Sequence, residues 1–168
     1  MKFNKILCLV FALLMVFALA ACGDKKDNGG NNDGSTQAGK SVIGTVINID
    51  DYQAVVTDTK LVKDDAGKDV LAITYDYTNN SEEEESFMWA FSYELKQNGT
   101  ALESATVFVS EDSFDFLDDA LYDSVQPGDT LSVTMTYTLI DTKTPVEVEF
   151  SDLLSEELVT FTVDVASL

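Results

Sequence analysis

The sequence predicts an all-β domain, an antiparallel sandwich of about seven strands in two sheets, and three observations predict it. From Val42 onward large apolar side chains alternate with small or polar ones. Turn-forming residues fall between those alternating runs. Residues 42–168, 127 in all, suffice for one hydrophobic core and hardly for two. An open barrel would leave a similar trace.

The elements follow in order. A strand around Val55 to Val62 is closed by the turn residues Asp64-Asp65-Ala66-Gly67-Lys68, and the next, Val70 to Thr78, sets Leu71, Ile73, Tyr75 and Tyr77 on one face. Thr78-Asn79-Asn80-Ser81 is a strand end, where Asn and Ser side chains bond nearby backbone and release the chain into the acidic loop Glu82 to Glu85. Trp89 to Leu95 repeats the alternation, so Trp89, Phe91 and Tyr93 are expected in the core; a stacking platform for glycans is the other reading of that stripe, and Tyr52, Tyr75, Tyr77, Tyr122 and Tyr137 are read the same way. Asn98-Gly99 suits a tight hairpin, and Gln126-Pro127-Gly128-Asp129 turns into the cleanest strand, Leu131 to Leu139. Asp141 to Thr144 leads to Val146 to Phe150, and Val159 to Val165 is last. Solvated Thr, Ser or acidic residues on the alternate positions are typical of antiparallel sheets with one face in water. Only residues 110–123 break the period. A short helix near 111–122, capped by Ser110 and apolar at Phe114, Leu117 and Leu121, fits them, as does a connection between sheets.

The first 41 residues have a different character. Lys2 and Lys5, the apolar run Ile6 to Ala18 and the small residues before Cys22 have the parts of a secretory signal covering 1–21. Leu19-Ala20-Ala21-Cys22 resembles the lipobox of bacterial lipoproteins, which implies lipidation of Cys22 and a membrane anchor; a plain secreted chain with a chance Cys is the alternative. Two or three acyl chains would hold the protein stably, each buried methylene contributing about 0.8 kcal/mol. Residues 22–41 carry no large apolar side chain and read as the lipidated Cys with a flexible tether, leaving 42–168 as the folded domain. With Cys8 removed and Cys22 lipidated, no disulfide is expected in that domain.

Charge excludes more than it assigns. Cleavage before Cys22 leaves 8 basic against 30 acidic residues, and every basic residue is Lys. Such a domain repels nucleic acid and lacks the Arg fork that clamps phosphate, so nucleic-acid binding is excluded. The mature chain has no His and no free Cys, which rules out Ser-His-Asp triads, Cys-His dyads and His or Cys zinc sites. Carboxylates are so abundant that no pair stands out as a hydrolytic dyad. The candidate metal ligands are Glu111, Asp112, Asp115, Asp118, Asp119 and Asp123, whose oxygens suit weak calcium binding without matching an EF-hand; a solvated acidic loop is the other reading.

Asp69 to Ser81, Phe87, Gln97-Asn98-Gly99 with Leu102-Glu103, Val125-Gln126-Pro127-Gly128 and Tyr137 to Asp141 together resemble an uncharacterised domain family of Gram-positive surface lipoproteins. Those domains look like immunoglobulin-like sandwiches related to the secreted mycobacterial immunoprotective extracellular protein. The resemblance spans about residues 50–165 and implies fold and location, with no catalytic residues to carry over. The expected function is therefore a non-catalytic binding or scaffolding module, lipid-anchored outside the cytoplasm of a Gram-positive bacterium. Its partner would be an envelope protein or a cell-wall component, with no cofactor beyond the calcium option. An accessory subunit of an envelope complex and, further off, a carboxylate hydrolase are the alternatives.

Overall fold

The computed structural model describes residues 41–108, 120–152 and 157–168, all within the unit Gly34–Leu168. Its strands are β1 (Val46–Ile49), β2 (Tyr52–Lys63), β3 (Asp69–Asn79), β4 (Ser92–Gln97), β5 (Thr100–Ala101), β6 (Thr130–Thr138), β7 (Val146–Ser151) and β8 (Leu158–Val163). A one-turn helix, α1 (Phe87–Ala90), precedes β4, and a 3-10 turn spans Val165–Ser167. Two four-stranded antiparallel sheets run β1-β2-β3-β6 and β5-β4-β7-β8. With β2 as strand A, these orders are A-B-E and C′-C-F-G, the arrangement of an immunoglobulin sandwich with β1 added outside A. The all-β expectation holds. Of the helix expected over 111–122, residues 111–119 lie outside the described residues and 120–122 form a turn, with Ala120 at φ 72°.

The inner face of β3 builds the core. Leu71, Ile73, Tyr75 and Tyr77 are fully buried and meet Leu95 of β4, Val148 and Phe150 of β7 and Val163 of β8 across the sandwich. Phe87 is the aromatic hub, its ring 5.6 Å from Tyr75, 5.7 Å from Tyr77 and 5.2 Å from Phe91. Edge-on pairs such as Tyr77 with Phe87 and Phe91 with Phe150 add the favourable quadrupole geometry of packed rings.

Two departures from strict alternation have identifiable causes. Thr136 points away from the main core yet is buried, because residues 103–105 run along the free edge of β6. The Ala105 N–H donates to the Thr136 carbonyl at 2.9 Å, the Thr138 N–H to the Glu103 carbonyl at 2.9 Å, and the Thr136 hydroxyl to the Ala105 carbonyl at 2.6 Å. Ala105 and Val107 then pack on Val70, and a sheet edge that would otherwise offer unpaired backbone is covered.

The second departure is at Trp89. The expected strand Trp89 to Leu95 begins only at Ser92, because the chain makes a helical turn in which the Trp89 and Ala90 N–H groups donate to the Ser86 carbonyl. A helical step sends residues three apart to one side. Phe87 and Ala90 go inward and Trp89 goes out, 69% exposed. The core position expected of Trp89 is taken by Phe87.

Candidate functional site

The connections of the sandwich sort into two ends. β2–β3, β4–β5 and β6–β7 turn at one end; β1–β2, β3–β4, the 120–129 segment and β7–β8 gather at the other. The described lysines, Lys60, Lys63, Lys68, Lys96 and Lys143, all lie toward the first end. The second end carries Asp50, Asp51, Glu82 to Glu85, Asp123, Asp129, Asp152 and Glu157, with no lysine in its described loops. In an immunoglobulin sandwich it is the end that displays the B–C and F–G loops.

Asn79 organises that end. Fully buried at the last position of β3, its side-chain amide donates to the carbonyls of Glu83 at 2.8 Å and Val125 at 2.9 Å. Its oxygen accepts from the Ser81 N–H at 2.9 Å and the Ser81 hydroxyl at 2.7 Å. The strand-end role read from Thr78-Asn79-Asn80-Ser81 is thus realised, and one side chain joins the β3–β4 loop to the 120s segment. Glu85 and Val125 add an antiparallel bridge, and the Met88 N–H donates to the Leu121 carbonyl at 3.1 Å.

That last bond joins two segments that each carry an exposed ring. Trp89 follows Met88, and Tyr122, 71% exposed, follows Leu121. The half-buried Tyr93 lies beneath, its hydroxyl 3.1 Å from the Met88 sulfur; burial and then the nearby Tyr122 raise its pKa. Glu84, exposed, accepts from the Gln126 side chain at 2.6 Å, and Asp123 is exposed next to Tyr122. Farther round the same end, desolvation and the carboxylates of Asp152 and Glu157 raise the pKa of Asp50. Indole and phenol faces attract cations and stack on flat or apolar groups, and the surrounding carboxylates favour positive charge.

Cys22 and the candidate ligands Glu111, Asp112, Asp115, Asp118 and Asp119 lie outside the described residues. Asp123 is an exposed residue closing the turn after Ala120, whose carbonyl accepts its N–H at 3.2 Å. Among the described residues no group of three or more carboxylates is arranged to hold a metal ion, and no helix is long and apolar enough to cross a membrane. Of the tyrosines expected in the core, Tyr75, Tyr77 and Tyr137 are buried, Tyr52 is half-buried and Tyr122 is outside. What sequence reasoning missed is that Trp89 and Tyr122 are both exposed, on segments joined by a backbone bond, at an end whose described loops hold no lysine. One signal for it was available: residues 69–95 hold seven acidic residues and residues 97–142 hold nine, with no lysine in either stretch.

The fold recurs in solved structures. A Staphylococcus aureus subsp. aureus NCTC 8325 protein whose name proposes a lipoprotein is similar at 13% identity with a TM-score of 0.59, over 76% of this chain and 93% of its own. An Enterococcus faecalis protein solved by NMR is 23% identical with a TM-score of 0.54, covering 71% and 88%. An uncharacterised β-sandwich protein from Clostridium difficile 630 is 17% identical with a TM-score of 0.53, covering 73% and 91%. Likeness at these identities speaks for the sandwich alone. No curated protein matches. Residues 29–152 match a family model, and the chain accordingly belongs to the family described as a domain of unknown function, DUF5067.

Proposed function

We propose that this protein is a lipid-anchored extracytoplasmic binding module of a Gram-positive bacterium, without catalysis, that engages an envelope partner through the loop end carrying Trp89 and Tyr122. The observation that carries the reading is Trp89, held 69% exposed by a helical turn whose other apolar residues are buried or half-buried. A large ring kept in water by a well-anchored loop is a feature of contact surfaces rather than of cores. The Cys22 motif supports the anchor, and the name of the staphylococcal neighbour points to the same location. Kinship with the immunoprotective extracellular protein belongs to this proposal as well. An accessory role in an envelope protein complex is the form the binding would take.

Two measurements test it. Cys22→Ala should move the chain from the membrane fraction to the soluble extracytoplasmic fraction. A photo-crosslinking residue placed at 89 should capture a discrete envelope component in cells, whereas one at 68, at the opposite end, should not. Equal labelling from both positions would remove the assignment of the loop end.

A further inference from the structure

We infer that the loop end takes a cationic ligand, a Lys- or Arg-bearing segment of a protein partner, with positive side chains against the Trp89 and Tyr122 rings and their neighbours over the surrounding carboxylates. The inference rests on the binding role proposed for that end and adds the chemistry of what it binds.

Charge complementarity chooses the occupant. The described lysines all sit toward the opposite end, so among the described residues no lysine at the loop end offsets its negative potential. Desolvation and three neighbouring carboxylates raise the Asp50 pKa there, as expected where like charges crowd together, and Glu84 and Asp123 add to the field on the Trp89 side. An anionic wall polymer or lipid headgroup is repelled by such a surface. A neutral sugar would gain stacking on the rings and nothing from the charge. Only a cation uses both, because the ring faces attract it at short range and the carboxylates at distances up to the Debye length, about 10 Å at 0.1 M salt. The two segments that carry the rings are also held to each other. Asn79 ties the β3–β4 loop to the carbonyl of Val125, and the bond between Met88 and Leu121 joins the two chains one residue before each ring.

Trp89 is the single tryptophan of the chain, so its emission reports on this end and nowhere else. The test titrates the full chain, in a zwitterionic detergent, with a twelve-residue peptide of alternating Lys and Gly. A Glu-Gly peptide and an N-acetylglucosamine hexamer serve as comparisons. The Lys-Gly peptide should give a saturable change in Trp89 emission that weakens about tenfold or more between 50 and 300 mM salt, and the other two should give none. With a labelled peptide followed by anisotropy, Trp89→Ala with Tyr122→Ala should weaken binding about 5- to 30-fold. Lys68→Gln should leave it unchanged. Equal affinity of the double variant and the native chain, with circular dichroism confirming both folded, overturns the assignment, since the peptide then senses diffuse charge only. So does saturable binding of the sugar hexamer in place of the peptide. If the cationic peptide fails while crosslinking from position 89 persists in cells, the cationic assignment falls and the binding end stands. If both fail, both fall.

Discussion

Tyr75→Phe removes one atom and should make the protein more stable. The Tyr75 ring is fully buried between Phe87 and Phe150, each 5.6 Å away, and its hydroxyl has no hydrogen-bond partner among the described residues. An unbonded buried hydroxyl costs about 1–3 kcal/mol of desolvation. The space its oxygen vacates costs back only about 0.3 kcal/mol at roughly 24 cal/mol per Å³. The net expectation is a gain of about 1–2 kcal/mol, or about 3–8 °C in Tm for a domain of this size. Tyr77→Phe is the matched control. Its hydroxyl donates to the Glu85 carbonyl at 3.3 Å, so the same deletion there should lose about 0.5–1.5 kcal/mol. Urea unfolding followed by circular dichroism gives both values. A loss of 1 kcal/mol or more for Tyr75→Phe would refute the reasoning, because it would mean that the hydroxyl is hydrogen-bonded in solution.

Gln97→Ala should cost about 3–5 kcal/mol in the same assay, since the buried side chain donates to the carbonyls of Asp141 and Thr144 and accepts from the N–H groups of Ile140 and Asp141. A loss under 1 kcal/mol would show that water replaces those bonds freely. Asp50→Asn should raise Tm at pH 7 and leave it unchanged near pH 3. The Asp50 pKa is raised, so its favourable contribution is present below the ordinary carboxylate value and is lost as pH rises through the folded value; Asn also tolerates the positive φ of 48°. Equal Tm values for the two proteins across pH 3–8 would sink this account of the acidic cluster. At high pH the buried phenols govern. Burial raises the pKa values of Tyr75, Tyr77, Tyr93 and Tyr137, so stability should hold up to about pH 10 and fall as pH climbs through the folded values, with phenolate absorbance at 295 nm appearing together with loss of structure. Ionisation of all tyrosines before unfolding would contradict their burial.

Period-two alternation located β3, β6, β7 and most of β4 and β8, because a strand with one face on a core writes its packing directly into the order of residues. It failed where the chain used a different repeat over a very short distance. Phe87, Trp89, Phe91 and Tyr93 have strand spacing, yet one helical turn suffices to exchange Trp89 for Phe87, and four residues are too few to show a 3.6 period. Thr136 was legible as an outward residue, but its burial depends on residues 103–105, some thirty positions away. Asn79 was readable as a strand end because its oxygen bonds a neighbour two residues on. Its tie to Val125, like every bond of the Gln97 side chain, spans more than forty residues and leaves no local mark. The charge asymmetry of the site was present in the distribution of lysines; the exposed rings that give it a shape were not.

Many immunoglobulin domains join their sheets with a disulfide. Here Asn79 and Gln97, two buried amides at opposite ends, each tie a strand end to its surrounding loops, and residues 42–168 contain no cysteine. An amide bonded on all sides answers to no thiol and no oxidant. The domain consequently needs no disulfide oxidase or disulfide isomerase, and no thiol chemistry distinguishes its loops in a reducing, anaerobic setting from those in an aerated one.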